Sequence, residues 1–518
     1  MIFSLDQNPK RSLMIEDFRL VVSSKPVMVI LALSILFRIV FHLFVLPSSP
    51  SRFGPDEGTY ATLAKYASQG LPMEEFPLYG AGLYNSAKSI TLPSAFLILL
   101  GVDELSAVRT VASTYGFASS LVLVLCFLAL WRLRSKTLGE LNPLFGKKFL
   151  ALLLIFTLFP SNFVWSTIGL RESGSQFWLI TTFYFVLKLL DSTKRDSLKF
   201  TVLCSLALTL AYGTRPETAL VFSLISFLAT IVLLFKFRQF LPSMAILLGV
   251  FAGQAFTTTP QVAAEESLKA FKIIQPKLIP SATPKPEESN QSATPKPEES
   301  NQSSTPKPLD SLEVSPDKSA SVKCRQKNEV IQIENNLFRC KNTKTYQVIE
   351  RNPVETLENQ ILVAQILEYK RIVNADNAQS SLPVMDCQGL SRDSFHLIKC
   401  NLRELPYRLF AFLFRPLIFF DQGSTTLTFA ALENLGWMIL VPITVWISLR
   451  KREITIDRFI SLSLTSYVLL FASAAALYEG NLGTAFRHKS TILWPLIFIL
   501  MITPRIWPKL KRETKSLC

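Results

Sequence analysis

Histidine is scarce in this chain, with 3 in 518 residues, and none of its 7 cysteines stands in a Cys-x-x-Cys pair. Those absences leave little from which to build a zinc site. No site for a soluble nucleotide sugar is visible. No half of the chain repeats the other, a pattern that many transporters show. The first apolar run, 26–46, is long for a signal-peptide core and lacks a clear small-residue cleavage site, so it reads as a retained signal anchor. Lys10, Arg11, Arg19 and Lys25 supply the cationic segment before it.

Apolar sequence is what the chain has in quantity. Hydrophobic residues make up 49% of it, 39 residues are phenylalanine and mean hydropathy is +0.31. These residues gather into runs about as long as a bilayer is thick, roughly 20 residues. The fold class expected is therefore all-α, a polytopic transmembrane protein. Apolar segments at 27–46, 108–131, 149–165, 174–190, 200–213, 218–235, 240–256, 428–449, 458–477 and 490–505 give about ten spans.

The formal net charge of +15 does not point to nucleic acid, because the cations are placed by topology. Numbering loops alternately from a cytoplasmic N-terminus, one side receives "WRLRSK" with Lys147 and Lys148, then Lys188, Lys194, Arg195 and Lys199. The same side receives Lys236, Arg238, "RKRE" at 450–453 and the C-terminal "KLKRETK". That is the positive-inside pattern of a plasma-membrane protein with both termini cytoplasmic. The opposite face collects Asp56 and Glu57, "GLRESG" with Arg171 and Glu172, "GTRPE" with Arg215 and Glu217, and "YEGNLGTAFRHK" with Glu479, Asn481 and Arg487.

Four segments follow: a transmembrane core at 1–256, a linker at 257–323, a small cysteine-bearing subdomain at 324–403 and a second transmembrane region at 404–518. The linker holds a tandem repeat, "SATPKPEESNQ" at 281 and again at 292, whose prolines and lack of apolar residues suit an extended, solvated chain. Outside the cytoplasm, Cys324, Cys340, Cys387 and Cys400 are expected to form two disulfides, with zinc the runner-up and His396 its only nearby imidazole. Cys126 and Cys204 fall inside apolar spans and read as packing residues.

Asp56 and Glu57 have two readings. In "FGPDEGTYATLAKY" a proline and two acids suit the first turn of a helix, where the dipole favours negative charge. Alternatively, carboxylates that meet arginines from three other outer loops form a site for a lipid phosphate beside a base, since guanidinium forks match phosphate oxygens. Arg38 lies well inside the first span near His42, and Glu433 inside the eighth. Intramembrane charges of this kind mark function or a packing partner.

"PDEGTYATLAKY" after the first span resembles the acidic first-loop motif of the GT-C glycosyltransferases, such as protein O-mannosyltransferases and lipid A aminoarabinose transferases. The order of "LPSAFLILLGVDELSAVRTVAS", "FPSNFVWSTIGLRES" and "TRPE" is similar to that superfamily, over roughly 26–235, with "GNLGTAFRHK" adding weaker support. The repeat-bearing outer loop and "FRPLIFFDQGS" depart from it. The resemblance implies an inverting transferase that moves a sugar from a polyprenyl-phosphate donor to an acceptor, as yet unknown, on the extracytoplasmic face. It implies Asp56 as the base with Glu57 second, and Arg215 and Arg487 on the donor phosphate with Arg171 in support. Glu172, Glu217, Arg38 and Glu433 would be supporting residues. No cofactor is expected, and a divalent metal near Asp56 and Glu57 would lack a full ligand set. A surface-polysaccharide polymerase or ligase, or a lipid-linked glycan transporter, are the alternatives.

Overall fold

A computed structural model describes residues 13–46, 56–71, 84–138, 146–192, 194–237, 241–257, 330–334, 337–340, 394–417, 425–450, 456–479 and 482–503. The chain divides into two compact units, one of Met1–Ala263 with Ala364–Cys518 and one of Ala264–Val363. Every described secondary-structure element of the first is a helix. In the second, β1 (Val330–Glu334) pairs antiparallel with β2 (Leu337–Cys340), a small departure from the all-α expectation.

The helices of the first unit follow the apolar runs. α1 (Leu13–Ser23) leads to α2 (Lys25–Phe44), which opens with Pro26 in its first turn, where a missing N–H costs nothing. α3 (Asp56–Ser68) and α4 (Lys88–Leu99) precede the long α5 (Glu104–Leu138). α6 (Lys147–Leu158) and α7 (Pro160–Thr167) meet at a 45° bend, because Pro160 pushes Phe159 out of helical geometry. Then come α8 (Glu172–Asp191), α9 (Lys194–Tyr212), α10 (Pro216–Phe237) and α11 (Leu241–Thr257). α12 (Ser394–Phe414), α13 (Thr425–Arg450), α14 (Ile456–Tyr478), α15 (Leu482–Lys489) and α16 (Leu493–Ile502) complete the unit. α12 runs through the boundary expected at 403/404.

α5 packs along α8, and α9 along both α8 and α11. The α9–α11 approach is close because Gly249 and Gly253 lie one turn apart: a Cβ on Gly253 would meet the Tyr212 ring at 2.5 Å. α16 lies at the centre, buried from Leu493 to Ile502, with Trp494 near Phe183, Phe222 and Tyr467. The periphery is apolar as well. Leu43, Phe44, Phe251 and Phe429 are exposed, the arrangement of a helical protein whose outer surface meets lipid rather than water.

Within the described residues the apolar segments read from the sequence fall on helices, 149–165 on the bent α6–α7 pair, but fewer helices have full spanning character. Among the described residues five are long and apolar enough to cross a membrane: Lys25–Phe44, Glu104–Arg134, Thr428–Arg450, Asp457–Leu477 and Gly483–Ile502. The bent α6–α7 pair would make six. The shortfall from about ten has physical causes. Leu241–Thr257 is apolar but only 17 residues long. α8 carries Glu172, Lys188 and Asp191, and α9 opens with Lys194, Arg195, Asp196 and Lys199. α4, built on "KSITLPSAFLIL", is an apolar helix that the span count passes over.

A buried ion cluster ties α1 to this bundle. Asp17 meets Lys188 and, at 2.8 Å, Arg132, which also holds Glu16. Cys400 is disulfide-bonded, while Cys126 and Cys204 are free and buried, as packing residues should be. Cys324 and Cys387 lie outside the described residues, as do the repeat and the rest of the linker, and Cys340 is described in its backbone alone.

Candidate functional site

Four helix ends meet around one cavity of about 380 Å³, lined by Asp56, Tyr60, Arg171, Glu172, Arg215, Glu217, Thr484, Arg487 and His488. Each end is where an apolar run stops and polar residues begin. α3 starts at Asp56, α8 follows Arg171 and starts at Glu172, α10 follows Arg215, and α15 carries Arg487 and His488 in its last turn. Acidic residues at three helix N-termini are favoured by the dipole, so the helix-start reading of Asp56 holds. It does not exhaust the residue.

Asp56 is half exposed to the cavity and accepts a hydrogen bond from Arg487 Nη1 at 2.7 Å. Arg215 Nη2 donates to Glu172 Oε1 at 3.0 Å, both side chains being buried, and Glu172 Oε2 has no hydrogen-bond partner. Arg171 donates to Ser86 Oγ at 3.1 Å and comes within 4.0 Å of Glu217, which is also 3.9 Å from Arg215. The cavity therefore brings together Asp56, Arg171, Glu172, Arg215, Glu217 and Arg487, six of the residues singled out from the sequence.

Burial would raise the Glu172 carboxyl, but Arg215, then Arg487, His488 and Arg171, outweigh it and hold the group below the usual carboxylate range. Glu479, at the foot of α14, behaves oppositely. Burial pushes its carboxyl up to about 8 against the pull of Arg215 and Arg487, and it lies 2.5 Å from His488 Nδ1. At neutral pH it carries a proton into that contact and adds no negative charge near the arginines. Burial also raises the Tyr60 hydroxyl, so the phenol is un-ionised at the cavity wall.

Glu57 is not in this cavity. Successive helical residues point about 100° apart, and Glu57 turns away from Asp56 into the protein, where it is fully buried. Arg109 grips it through Nη2 to Oε1 at 2.9 Å and Nε to Oε2 at 3.1 Å, and the Gly169 N–H adds a third contact at 3.3 Å. Its place is that of a staple between α3, α5 and the turn before α8. Arg109 escapes a search for polar span ends because it sits inside "LSAVRTV", one turn into an apolar helix.

Arg38 and Glu433 do not pair with each other. Glu433 accepts the Ser161 N–H at 2.6 Å, at the start of α7, and the Trp437 indole N–H at 2.9 Å. Arg38 donates to Ser166 Oγ at 3.2 Å, near the end of α7. A carboxylate at the first turn of a short helix and a cation at its last are the favourable arrangement for its dipole. Lys489, next to the cavity residues, is buried and donates to the Arg415 carbonyl at 2.9 Å and Asn434 Oδ1 at 2.7 Å.

Tyr60, Thr484 and His488 were not singled out from the sequence. Tyr60 follows Asp56 by one helical turn, and Thr484 and His488 flank Arg487, so the signal available was their spacing from residues already marked. Among the described residues no three His, Cys, Asp or Glu side chains come together as ligands of one ion. The chain matches no protein-family model, no curated protein and no solved structure.

Proposed function

We propose that this chain is a membrane glycosyltransferase of the GT-C kind, with about ten spans, both termini cytoplasmic and its site on the extracytoplasmic face. It transfers a sugar from a polyprenyl-phosphate donor to an acceptor hydroxyl. The observation that carries the reading is the meeting of Arg171, Arg215 and Arg487 with the half-exposed Asp56 around one cavity at the ends of apolar helices.

The chemistry follows from the pairings. Arg487 holds Asp56 through a charged hydrogen bond; a donor phosphate, whose oxygens match the guanidinium fork, draws Arg487 to itself and releases the carboxylate. The acceptor oxygen then forms a bond to the anomeric carbon as the bond from that carbon to the phosphate oxygen breaks. The electron pair leaves with the polyprenyl phosphate, whose charge Arg215 and Arg487 hold, and the acceptor's proton passes to Asp56. Displacement from the opposite face inverts the anomeric centre. Glu172 keeps Arg215 aimed at the cavity, and Arg171 adds a third guanidinium.

Asp56→Asn tests this directly. The amide preserves shape and hydrogen bonding but cannot take the acceptor's proton, so transfer should fall ~10² to 10⁴-fold with folding intact. Near-normal turnover by a well-folded Asp56→Asn protein would return Asp56 to the role of a helix start.

A further inference from the structure

A second cavity, of about 350 Å³, lies between α2 and α5 and shares no lining residue with the first. Arg38 lines it and is 3% exposed. Its Nε and Nη1 are occupied by Ser166 and Ser34, and the Phe163 ring lies 5.5 Å from its guanidinium carbon. Nη2 is buried with no hydrogen-bond partner, and among the described residues Arg38 has no carboxylate partner. A guanidinium inside a membrane span is costly to leave without an anion, and its planar fork suits phosphate oxygens.

The surroundings specify what brings that anion. His42, one turn further along α2, and Ser113 and Thr114 on the facing stretch of α5 give the cavity polar walls. Ile39 and Leu43, at its mouth, are 50% and 65% exposed on a surface that meets lipid. Arg38 lies about 9 Å along the helix axis from Phe44, so a headgroup from the nearer leaflet can reach it sideways. We infer that this cavity binds a phosphate-bearing lipid of the surrounding bilayer, its phosphate against the Arg38 guanidinium and the apolar chain along Ile39 and Leu43. The site is separate from the transferase cavity and does not depend on that reading.

Native mass spectrometry of the full chain in detergent tests it, with phosphatidylglycerol, diacylglycerol of the same chains and inorganic phosphate as probes. The expected result is a phosphatidylglycerol adduct on the wild-type protein and none with diacylglycerol. Arg38→Gln should lower its occupancy about tenfold or more, since a charge-assisted hydrogen bond is lost. Thr114→Phe, at an exposed position, fills the cavity with Arg38 intact and should lower it equally, which keeps the test decisive if Arg38→Gln fails to fold. Undiminished phosphatidylglycerol binding by either folded variant overturns the site. So does equal binding of diacylglycerol, or saturation by inorganic phosphate with no lipid adduct.

Discussion

Glu57→Ala should unfold the protein more readily without touching its chemistry. The structure sets the size of the effect. Glu57 is fully buried, its side chain contacts two Arg109 nitrogens, Nη2 at 2.9 Å and Nε at 3.1 Å, and Arg109 itself is 3% exposed. Removing the carboxylate takes from the buried Arg109 guanidinium the counter-charge that Glu57 supplies, and breaking one partner of a buried pair typically costs about 3–5 kcal/mol. Replacing both residues, as Glu57→Ala with Arg109→Leu, removes the stranded charge and should recover part of that loss. Denaturant unfolding of the full chain in detergent micelles, followed by tryptophan fluorescence, measures both variants. Transfer per folded molecule should stay within a few-fold of wild type, in contrast to Asp56→Asn. A Glu57→Ala protein of wild-type stability with no transfer would refute the staple and put Glu57 in the reaction.

Further outcomes follow from the same geometry. Arg215→Ala and Arg487→Ala should weaken donor binding as well as turnover, read as a rise in KM with a fall in kcat, because both hold phosphate in ground and transition states. Glu479 ionises near 4.5 when unfolded and about 8 when folded, so the proton it holds in the folded protein stabilises fully below about 4.5 and loses that effect as pH rises through 8. Glu479→Gln should flatten the fall in thermal stability across that window; an unchanged pH profile would contradict the burial of an acid there. A reporter fused after Arg452 should behave as cytoplasmic and one inserted near Ser292 as external, and the reverse would overturn the sidedness of every motif. Peptide mapping of the unreduced protein should find Cys400 in a disulfide and Cys126 and Cys204 as thiols.

The gathering of Asp56, Arg171, Arg215 and Arg487 is legible in the sequence because each lies where an apolar run ends. Which of two adjacent carboxylates enters the cavity is not legible. That depends on a 100° turn of α3 and on Arg109, 52 residues away in the chain. The roles of Arg38 and Glu433 are hidden for a similar reason, since their partners are the two ends of α7, a helix that exists because Pro160 breaks an apolar run. Hydropathy marks where helices lie, but it does not show that a charge inside one of them, such as Lys188 in α8, is neutralised by a partner far away in the chain, here Asp17.

The most direct test of the transferase account is chemical identification of the lipid-linked sugars in cells whose only copy of this protein carries Asp56→Asn. The account predicts that a polyprenyl-phosphate sugar accumulates while its transfer product disappears. An unchanged lipid-sugar pool, with the variant protein folded and in the membrane, would contradict it.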